Sequence, residues 1–153
     1  MRKILIVGAG GQGGPCASIL SRDADISEIR LGDINVELAQ KIADKIGSRK
    51  VKPLQLDASR KEDIVNAAAD VDAIINLTLI DFNDTILAAA LETDCHYIDT
   101  ACDYSYLKQL VDGTALKFDD EFKELGKTAL MGCGATPGMS NVIIRMPGSN
   151  DLF

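Results

Sequence analysis

The sequence predicts an α/β fold in which one doubly wound parallel sheet of about six strands carries helices on both faces. Short apolar runs alternate with segments of helical periodicity along the chain. The first run, residues 4–7, is continuous and rich in β-branched residues, as in a strand buried on both faces. A glycine-rich segment, residues 8–13, follows at once and opens a helix. Such alternation gives parallel pairing through right-handed crossovers, which is the Rossmann-type arrangement.

The order of the elements follows from the same patterns. Six strands are predicted at residues 4–7, 29–33, 51–56, 72–78, 97–99 and 128–131. Helices are predicted between them at residues 15–20, 36–46, around 64–68, 85–92, 106–111 and 118–125. Gly47 and Gly126 are expected to end two of these helices, because glycine adopts the left-handed conformation without cost. Asp57 and Ser59 offer side chains that cap the N-terminus of the helix near residue 64.

Composition and charge narrow the classes of function. The chain has 153 residues, of which 46% are hydrophobic and 25% charged, so one globular domain with a real core is expected. No run of 18 apolar residues occurs, so a membrane span is not expected. The net charge of −7 disfavours nucleic acid and anionic membranes as partners.

The cysteines and the histidine indicate a reducing compartment and no metal site. Cys16, Cys95, Cys102 and Cys133 include no C-x-x-C pair, and His96 is the only histidine, so no zinc site is predicted. We interpret the cysteines as small buried hydrophobic residues of a cytoplasmic protein. The apolar run near the N-terminus stops after four residues, which is too short for a signal peptide.

The glycine-rich segment carries the strongest functional signal. It matches G-x-G-x-x-G between a buried strand and a helix, through Gly8, Ala9, Gly10, Gly11, Gln12 and Gly13. The first glycine permits the tight turn, the second lets a pyrophosphate approach the backbone, and the third lets the helix pack on the strand. No Gly-Lys-Ser or Gly-Lys-Thr follows, which excludes the ATP-type loop. The segment therefore predicts a dinucleotide site, with a strand-to-helix turn that binds nothing as the alternative.

The acidic residue at the end of the second strand predicts the cofactor. Asp33 lies 20 residues after Gly13, where a carboxylate accepts hydrogen bonds from the adenosine ribose 2′-OH and repels a 2′-phosphate. NAD is therefore favoured, and Ile34 is expected to line the same pocket. NADP stays open because the side chains of Arg30 and Lys52 could reach this pocket.

Two further strand ends are candidates for the cofactor site, because ligands of open parallel sheets bind beyond the carboxyl ends of the strands. Asp57 and Ala58 follow the third strand, where Asp57 either bonds the adenine amino group or caps the next helix. Asn76, Leu77 and Thr78 end the fourth strand and are expected to pass along the nicotinamide ribose. An ordinary strand-to-helix loop is the alternative there.

The second half of the chain carries a narrower resemblance. Residues 96–101 read His-Tyr-Ile-Asp-Thr-Ala, and residues 132–141 read Gly-Cys-Gly-Ala-Thr-Pro-Gly-Met-Ser-Asn. With the glycine segment, these motifs resemble the N-terminal domain of the saccharopine dehydrogenase (saccharopine reductase-like) family over residues 1–145. The resemblance implies hydride transfer between a nicotinamide cofactor and a C–N bond of an amino-acid or polyamine-like substrate.

The resemblance also assigns candidate roles. It places Asp99 near the reacting centre, where the carboxylate could hold an ammonium group or relay a proton; capping of the helix near Tyr104 is the alternative. His96 precedes the core of its strand and is interpreted as structural, and Cys133 as a packing residue. Thr136 stands where some saccharopine reductases have an acidic residue, which leaves the substrate open.

The length of the chain gives one more expectation. Members of the family are longer and place a second, substrate-binding domain after the Pro-Gly turn, and we expect that domain to be absent here. Residues 146–153 are predicted to form an irregular tail. A truncated chain of this kind is expected to be inactive alone, to bind a small amine only if a second domain is supplied, and to form homo-oligomers through an exposed apolar patch. The alternative is a non-catalytic dinucleotide-binding module or a partner-dependent subunit.

Overall fold

The structure, a computed structural model, describes residues 1–114 and 116–145; the predicted tail at 146–153 lies outside them. Six strands form one sheet in the order β3-β2-β1-β4-β5-β6, and every pairing is parallel. The strands are β1 Arg2–Val7, β2 Ile26–Asp33, β3 Val51–Gln55, β4 Ala73–Asn76, β5 His96–Asp99 and β6 Ala129–Leu130. The helices are α1 Gly13–Leu20, α2 Val36–Ile46, α3 Lys61–Ala68, α4 Asn83–Glu92, α5 Tyr104–Asp112, α6 Asp119–Glu124 and α7 Met139–Arg145. The predicted doubly wound sheet is confirmed.

The strand order places one switch point in the middle of the sheet. The chain winds outwards from β1 to β3, returns to β4 beside β1, and winds outwards again to β6. The carboxyl ends of all six parallel strands therefore meet at one edge. At that edge, the chain leaves β1 and β4 towards helices on opposite faces of the sheet, and ligands of open α/β sheets bind at such a switch point.

Two apolar clusters hold the helices on the two faces. On the α1/α2 face, Ile6 packs with alanines of α1 and α2, whose small side chains let the helices lie close to the sheet. On the opposite α3/α4 face, Leu5, Val7 and Ile74 pack against α3 and α4. The middle of β1 is thus buried on both sides, as its continuous apolar run predicts.

One part of the α1/α2 face has no helix over it among the described residues. Ile75, Ile98 and Leu130 are register partners on β4, β5 and β6, so their side chains share this face. They line a hollow of about 370 Å³ together with Ile4 and Leu20. Leu130 is 50% exposed.

The helix ends confirm one predicted signal and correct another. Gly47 ends α2 in the left-handed conformation, with φ of 67°. The predicted cap of α3 is wrong, because its N-cap position is Arg60, which makes no side-chain bond to the helix. Asp57 instead accepts both the N–H and the O–H of Ser59, so these two side chains satisfy each other within the loop.

The α-helices of the described residues are six to eleven residues long. Within residues 1–114 and 116–145, no helix combines the length and the hydropathy that crossing a bilayer requires.

Candidate functional site

The turn after β1 depends on two of its glycines for its shape. Gly8 has a φ of +98°, and a Cβ there would lie 2.9 Å from the carbonyl oxygen of Leu77. A Cβ on Gly13 would lie 1.8 Å from the carbonyl oxygen of Gly8. The roles predicted for Gly8 and Gly13, a tight turn and a close helix, therefore match the geometry.

The outer side of the same turn is open. A Cβ on Gly10 or Gly11 would meet nothing within 4 Å. The bare backbone of these two glycines faces free space, where a ligand can approach it closely. This fits the role predicted for Gly10.

The N-terminus of α1 is suited to an anion. Gln12 occupies its N-cap position without a side-chain cap bond, and the first turn holds no acidic residue. The first N–H groups of a helix carry a partial positive charge, although in α1 the Gly14 N–H donates to the Gly10 carbonyl oxygen at 3.3 Å and Pro15 has no N–H. A pyrophosphate is attracted by this charge, so the residues present fit the diphosphate of a dinucleotide.

Asp33 connects the end of β2 to this turn. Its Oδ2 atom accepts the backbone N–H of Ala9 at 2.7 Å, and its Oδ1 atom accepts the N–H of Asn35 at 2.9 Å. A carboxylate has about four lone-pair positions, so two acceptor positions are left for a ribose diol. Ile34, next to it, is 66% exposed and offers an apolar surface beside the carboxylate.

A cleft of about 710 Å³ opens beyond the ends of β2 and β3. Ile34, Asp57 and Arg60 line it, so the structure brings Ile34, which was predicted beside Asp33, together with Asp57, which was predicted beside the adenine. Hydrogen bonds from Ser59 lower the pKa of Asp57, which is therefore an ionised acceptor. The Ala58 side chain was predicted at the cofactor site, but it is buried in the core of the α3/α4 face.

The basic residues near this cleft are not those that the sequence singles out. The Arg30 guanidinium donates to the carbonyl oxygens of Ala67 and Ala69, at 2.8 and 2.6 Å, and pairs with Asp70. It is thereby committed to the end of α3. Arg60, which sequence reasoning missed, borders the cleft with its side chain 65% exposed. Its position three residues after Asp57 was the available signal.

The end of β4 is held by an inward-facing amide. The Asn76 Oδ1 atom accepts the N–H of Thr78 at 3.0 Å and its O–H at 2.6 Å. The Asn76 Nδ2 group donates to the Asn83 Oδ1 atom at 2.8 Å and to the Tyr97 hydroxyl oxygen at 3.1 Å. The predicted residues Leu77 and Thr78 thus stand beside Gly8, whereas the Asn76 side chain is interior.

Asp99 lies at the end of β5 and is 1% exposed. Its Oδ2 atom accepts the Tyr97 O–H at 2.9 Å, and its Oδ1 atom accepts the Gly132 N–H at 2.6 Å. Burial raises the pKa of this carboxyl group. It does not cap α5, where Asp103 accepts the N–H of Ser105 at 2.6 Å. A catalytic role for Asp99 stays a prediction, and it requires access that this arrangement does not give.

The turn after β6 stands at the same edge of the sheet. Gly138 has a φ of +124°, and the Met139 N–H donates to the Gly134 carbonyl oxygen at 2.8 Å, so the turn closes on itself before α7. The Thr136–Pro137 peptide bond within it is cis. Cys133 is exposed, so the interpretation of this residue as packing is wrong.

His96 lies at the opposite end of β5 from these groups. Its Nδ1 atom accepts the backbone N–H of Thr128 at 3.1 Å, which links β5 to the segment before β6. This contact agrees with the structural role predicted for it.

Comparisons with known proteins agree with this geometry. A family model described as the saccharopine dehydrogenase NADP binding domain matches residues 4–130. Carboxyaminopropylagmatine dehydrogenase of Synechocystis sp. is 35% identical over 151 aligned residues, which cover 93% of this chain and 36% of that protein. Carboxynorspermidine synthase of Vibrio cholerae is 26% identical, with 91% and 37% covered. The chain thus spans little more than a third of the length of these curated relatives.

The solved structures support the fold. Apo saccharopine dehydrogenase (L-Glu forming) from Saccharomyces cerevisiae has a TM-score of 0.75 at 21% identity, covering 92% of this chain and 29% of that one. Quinate dehydrogenase from Corynebacterium glutamicum in complex with NAD has a TM-score of 0.59 at 20% identity, covering 86% and 44%. Because the family model matches well over half of the chain, this protein belongs to the saccharopine dehydrogenase family, in which it corresponds to the NADP-binding domain.

Proposed function

We propose that the chain is the cofactor-binding domain of an oxidoreductase that uses a nicotinamide dinucleotide to act on a C–N bond. One observation carries the proposal: the open backbone of Gly10 and Gly11 at the start of α1 stands next to the carboxylate of Asp33. The first feature suits a diphosphate and the second a ribose diol, and they are adjacent as in a dinucleotide.

Each end of the cofactor has candidate residues. The diphosphate would lie against Gly10, Gly11 and Gln12, and the adenosine ribose against Asp33. The adenine ring would enter the cleft lined by Ile34 and Asp57, and the nicotinamide half would pass Leu77 and Thr78. When bound, the nicotinamide supplies the hydride donor or acceptor. The protein orients the cofactor at the sheet edge that also holds Asp99 and the turn after β6.

We propose NAD as the preferred cofactor, although the family model is named for NADP. The Asp33 carboxylate is fixed by the N–H groups of Ala9 and Asn35, so it cannot turn away from a 2′-phosphate. Arg30 is committed to the end of α3 and supplies no positive charge to the pocket. Arg60 is the group that would favour NADP, but its side chain is 65% exposed and lies 3.7 Å from the Asp63 carboxylate, so solvent and this ion pair weaken its attraction for a 2′-phosphate.

The substrate class rests on the relatives. Their names, carboxyaminopropylagmatine dehydrogenase and carboxynorspermidine synthase, indicate carboxylated polyamine-like amines, which carry cationic nitrogen. Asp99 is the carboxylate proposed to hold such an ammonium group or to relay its proton. Asp99 is 1% exposed, so a substrate reaches it only if the turn after β6 moves. Because the chain spans little more than a third of these relatives, the 153 residues alone are expected to be inactive and to act on an amine only with a second domain.

A cytoplasmic location belongs to the same proposal. The four cysteines are free in the structure. Burial raises the pKa of the Cys16 and Cys95 thiols, which keeps them protonated and unreactive. Unpaired thiols of this kind persist most readily in a reducing compartment.

Equilibrium titration with NADH and NADPH tests the proposal. Nicotinamide fluorescence is followed as the 153-residue chain is added to each cofactor, and we expect NADH to bind more tightly. Tighter binding of NADPH would refute the argument from Asp33. Failure to bind either cofactor would refute the proposed function itself.

A further inference from the structure

The buried polar side chains of the described residues gather in one place. Asn76, Asn83 and Asp99 are each no more than 2% exposed, and all three lie at the carboxyl ends of β4 and β5 or at the start of α4. A buried polar group is costly unless it is paired. Within the described residues, no buried side-chain nitrogen or oxygen lacks a hydrogen-bond partner, so this cluster is fully satisfied.

The cluster forms a continuous chain of hydrogen bonds with one polarity. Thr78 donates to the Asn76 Oδ1 atom, and the Asn76 Nδ2 group donates to the Tyr97 hydroxyl oxygen. Tyr97 then donates to Asp99, which also accepts the Gly132 N–H. Every donor along this series points towards the Asp99 carboxylate. We refer to this series of hydrogen bonds, from Thr78 through Asn76 and Tyr97 to Asp99, as the Asp99 relay.

The two ends of the Asp99 relay touch the two loops of the proposed site. At one end, Leu77 and Thr78 lie against Gly8, since a Cβ there would stand 2.9 and 3.1 Å from their atoms. At the other end, Gly132 begins the turn after β6. The relay therefore spans from the cofactor turn to the turn beside the reacting edge.

We infer that Tyr97 and Asn76 are positioning residues that transmit the charge state of Asp99 to the cofactor turn, so that the dinucleotide binds weakly once Asp99 takes up a proton. The inferred effect on dinucleotide binding rests on the proposed function. The inferred coupling between Asp99 and Thr78 rests on the directions of the hydrogen bonds that join them.

Polarity gives the relay two discrete states. An ionised Asp99 accepts from both Tyr97 and Gly132. A protonated carboxyl group that donates to the Tyr97 oxygen forces the tyrosine proton to the other side, where it needs an acceptor. Asn76 can supply one only by turning its amide, which withdraws Oδ1 from Thr78 and also breaks the 2.8 Å bond from Nδ2 to the Asn83 Oδ1 atom. The loop beside Gly8 then loses both of its bonds to the Asn76 side chain and keeps the backbone bond from the Leu77 N–H to the Val7 carbonyl oxygen.

The other ionisable groups near Asp99 keep one charge state between about pH 4 and pH 8. Burial raises the pKa of Tyr97, Cys102 and Tyr106, so these groups stay neutral. Hydrogen bonds from Lys117 and Tyr106 outweigh burial and lower the pKa of Asp84, so it stays ionised.

Three further ionisable side chains, Asp103, Cys133 and His96, lie in the loops next to Asp99 or on its strand. The N–H and O–H of Ser105 lower the pKa of Asp103, which also stays ionised. Cys133 follows Gly132 in the turn and is exposed, and His96 lies at the far end of β5. His96 is the ionisable side chain at the start of β5, so it has its own control variant.

A pH titration of backbone amide resonances tests the relay without cofactor. The ¹⁵N–¹H signals of Gly132 and Thr78 are followed in the 153-residue chain from about pH 4 to pH 8. We expect both signals to titrate with one common midpoint, above the ordinary range of an aspartic acid. In Tyr97→Phe, we expect the Gly132 signal still to titrate and the Thr78 signal to stop following it.

Two variants serve as controls. Ile74→Val shortens a fully buried apolar side chain of β4 that makes no side-chain hydrogen bond, and we expect the common midpoint to persist. His96→Gln replaces the histidine with a side chain whose amide oxygen can still accept the Thr128 N–H, and the midpoint should again persist. Loss of the midpoint in His96→Gln would overturn the assignment to Asp99.

Different midpoints for Gly132 and Thr78 in the wild type would also overturn the relay, even if Tyr97→Phe fails to fold. A Thr78 signal that still follows Gly132 in Tyr97→Phe would overturn the role of Tyr97.

The effect on the dinucleotide is tested by measuring NADH affinity at several pH values. The affinity should fall about tenfold for each pH unit below the midpoint. NADH affinity that is unchanged through the midpoint would overturn the link to the cofactor turn while leaving the proposed function standing. Absence of NADH binding at every pH would refute the proposed function, and the relay would then be judged by the amide titration.

Discussion

The Oδ2 atom of Asp33 accepts the backbone N–H of Ala9 at 2.7 Å, across 24 residues of sequence. The carboxylate that is proposed to bind the ribose is therefore also a structural part of the glycine turn that is proposed to bind the diphosphate. One side chain fixes the distance between the two subsites. Cofactor choice and cofactor affinity should both depend on it.

Replacing Asp33 by asparagine should change which cofactor is preferred. The amide oxygen can still accept the Ala9 N–H, but the negative charge is gone, the Asn35 N–H loses its acceptor, and one lone pair of the oxygen is left for the diol. We expect NADH to bind about tenfold more weakly, since a hydrogen bond to a charged group contributes about 1.5–3 kcal/mol. NADPH should lose less or gain, because its 2′-phosphate no longer meets a carboxylate. The comparison is made by fluorescence titration of both cofactors.

Asp23→Asn is the matched control for that change. Asp23 is an exposed aspartate that also accepts a backbone N–H two residues ahead, from Asp25 at 2.8 Å, at the amino end of β2. It should leave both affinities unchanged. An unaltered NADPH-to-NADH ratio in Asp33→Asn would contradict the proposed selectivity.

Two alanine substitutions in the glycine turn should have opposite consequences. Gly10→Ala adds a methyl group in open space, so the free energy of unfolding should stay within about 0.5 kcal/mol of wild type. The same methyl group occupies the space proposed for the diphosphate, so NADH affinity should fall at least about tenfold. Urea denaturation and NADH titration measure the two effects.

Gly13→Ala places its methyl carbon 1.8 Å from the Gly8 carbonyl oxygen. The backbone must move, and we expect a loss of about 3 kcal/mol or more in unfolding free energy. The turn geometry described above is wrong if Gly13→Ala proves as stable as Gly10→Ala.

The raised pKa of Asp99 should make the folded chain lose stability as the pH rises. Burial raises the pKa of Asp99 in the folded chain, so folding favours the protonated form. Its contribution is fully present below the pKa of the unfolded chain and is lost as the pH rises through the folded pKa. The unfolding free energy of wild type minus that of Asp99→Asn should therefore be largest near about pH 4 and decrease towards pH 7. Urea denaturation at several pH values gives this difference, and an increase with pH would contradict the buried state of Asp99.

Self-association is expected through the uncovered sheet face at Ile75, Ile98 and Leu130. Because parallel sheets are stable when both faces are covered, this apolar surface favours contact with a second copy. Light scattering at increasing concentration should show a rise in mean mass, and Leu130→Glu should abolish it. Val111→Glu changes an apolar residue of α5 that is 85% exposed, away from this face, and should leave the association intact. A wild type that stays monomeric at all concentrations would contradict this expectation.

The fold could be read from the sequence because its signals are local. The apolar run of β1, the spacing of α2 and its glycine stop, and the G-x-G-x-x-G segment each depend on residues that are close together in the chain. The strand order then follows from right-handed crossovers. The boundaries were less predictable; the sixth strand, for example, is limited to Ala129–Leu130 because only two residues pair with β5.

The site was only partly predictable because much of it is assembled by contacts between distant residues. The bond between Asp33 and Ala9 is invisible in a spacing rule, and so is the pairing of Asp57 with Ser59 that replaces the predicted helix cap. The Asp99 relay was missed for the same reason. Tyr97 alternates with Asp99 on β5, which placed both on one face, but the role of Asn76 depends on register between two strands.

The central claim is that a nicotinamide dinucleotide binds along the carboxyl edge of the sheet. Backbone amide shift mapping of the 153-residue chain during NADH titration tests it most directly. The account predicts that the largest shifts fall on residues 8–14, 33–34, 57–60 and 76–78, with little change at residues 23–28 and 93–96 on the opposite edge. Saturating NADH that leaves residues 8–14 unshifted would contradict it.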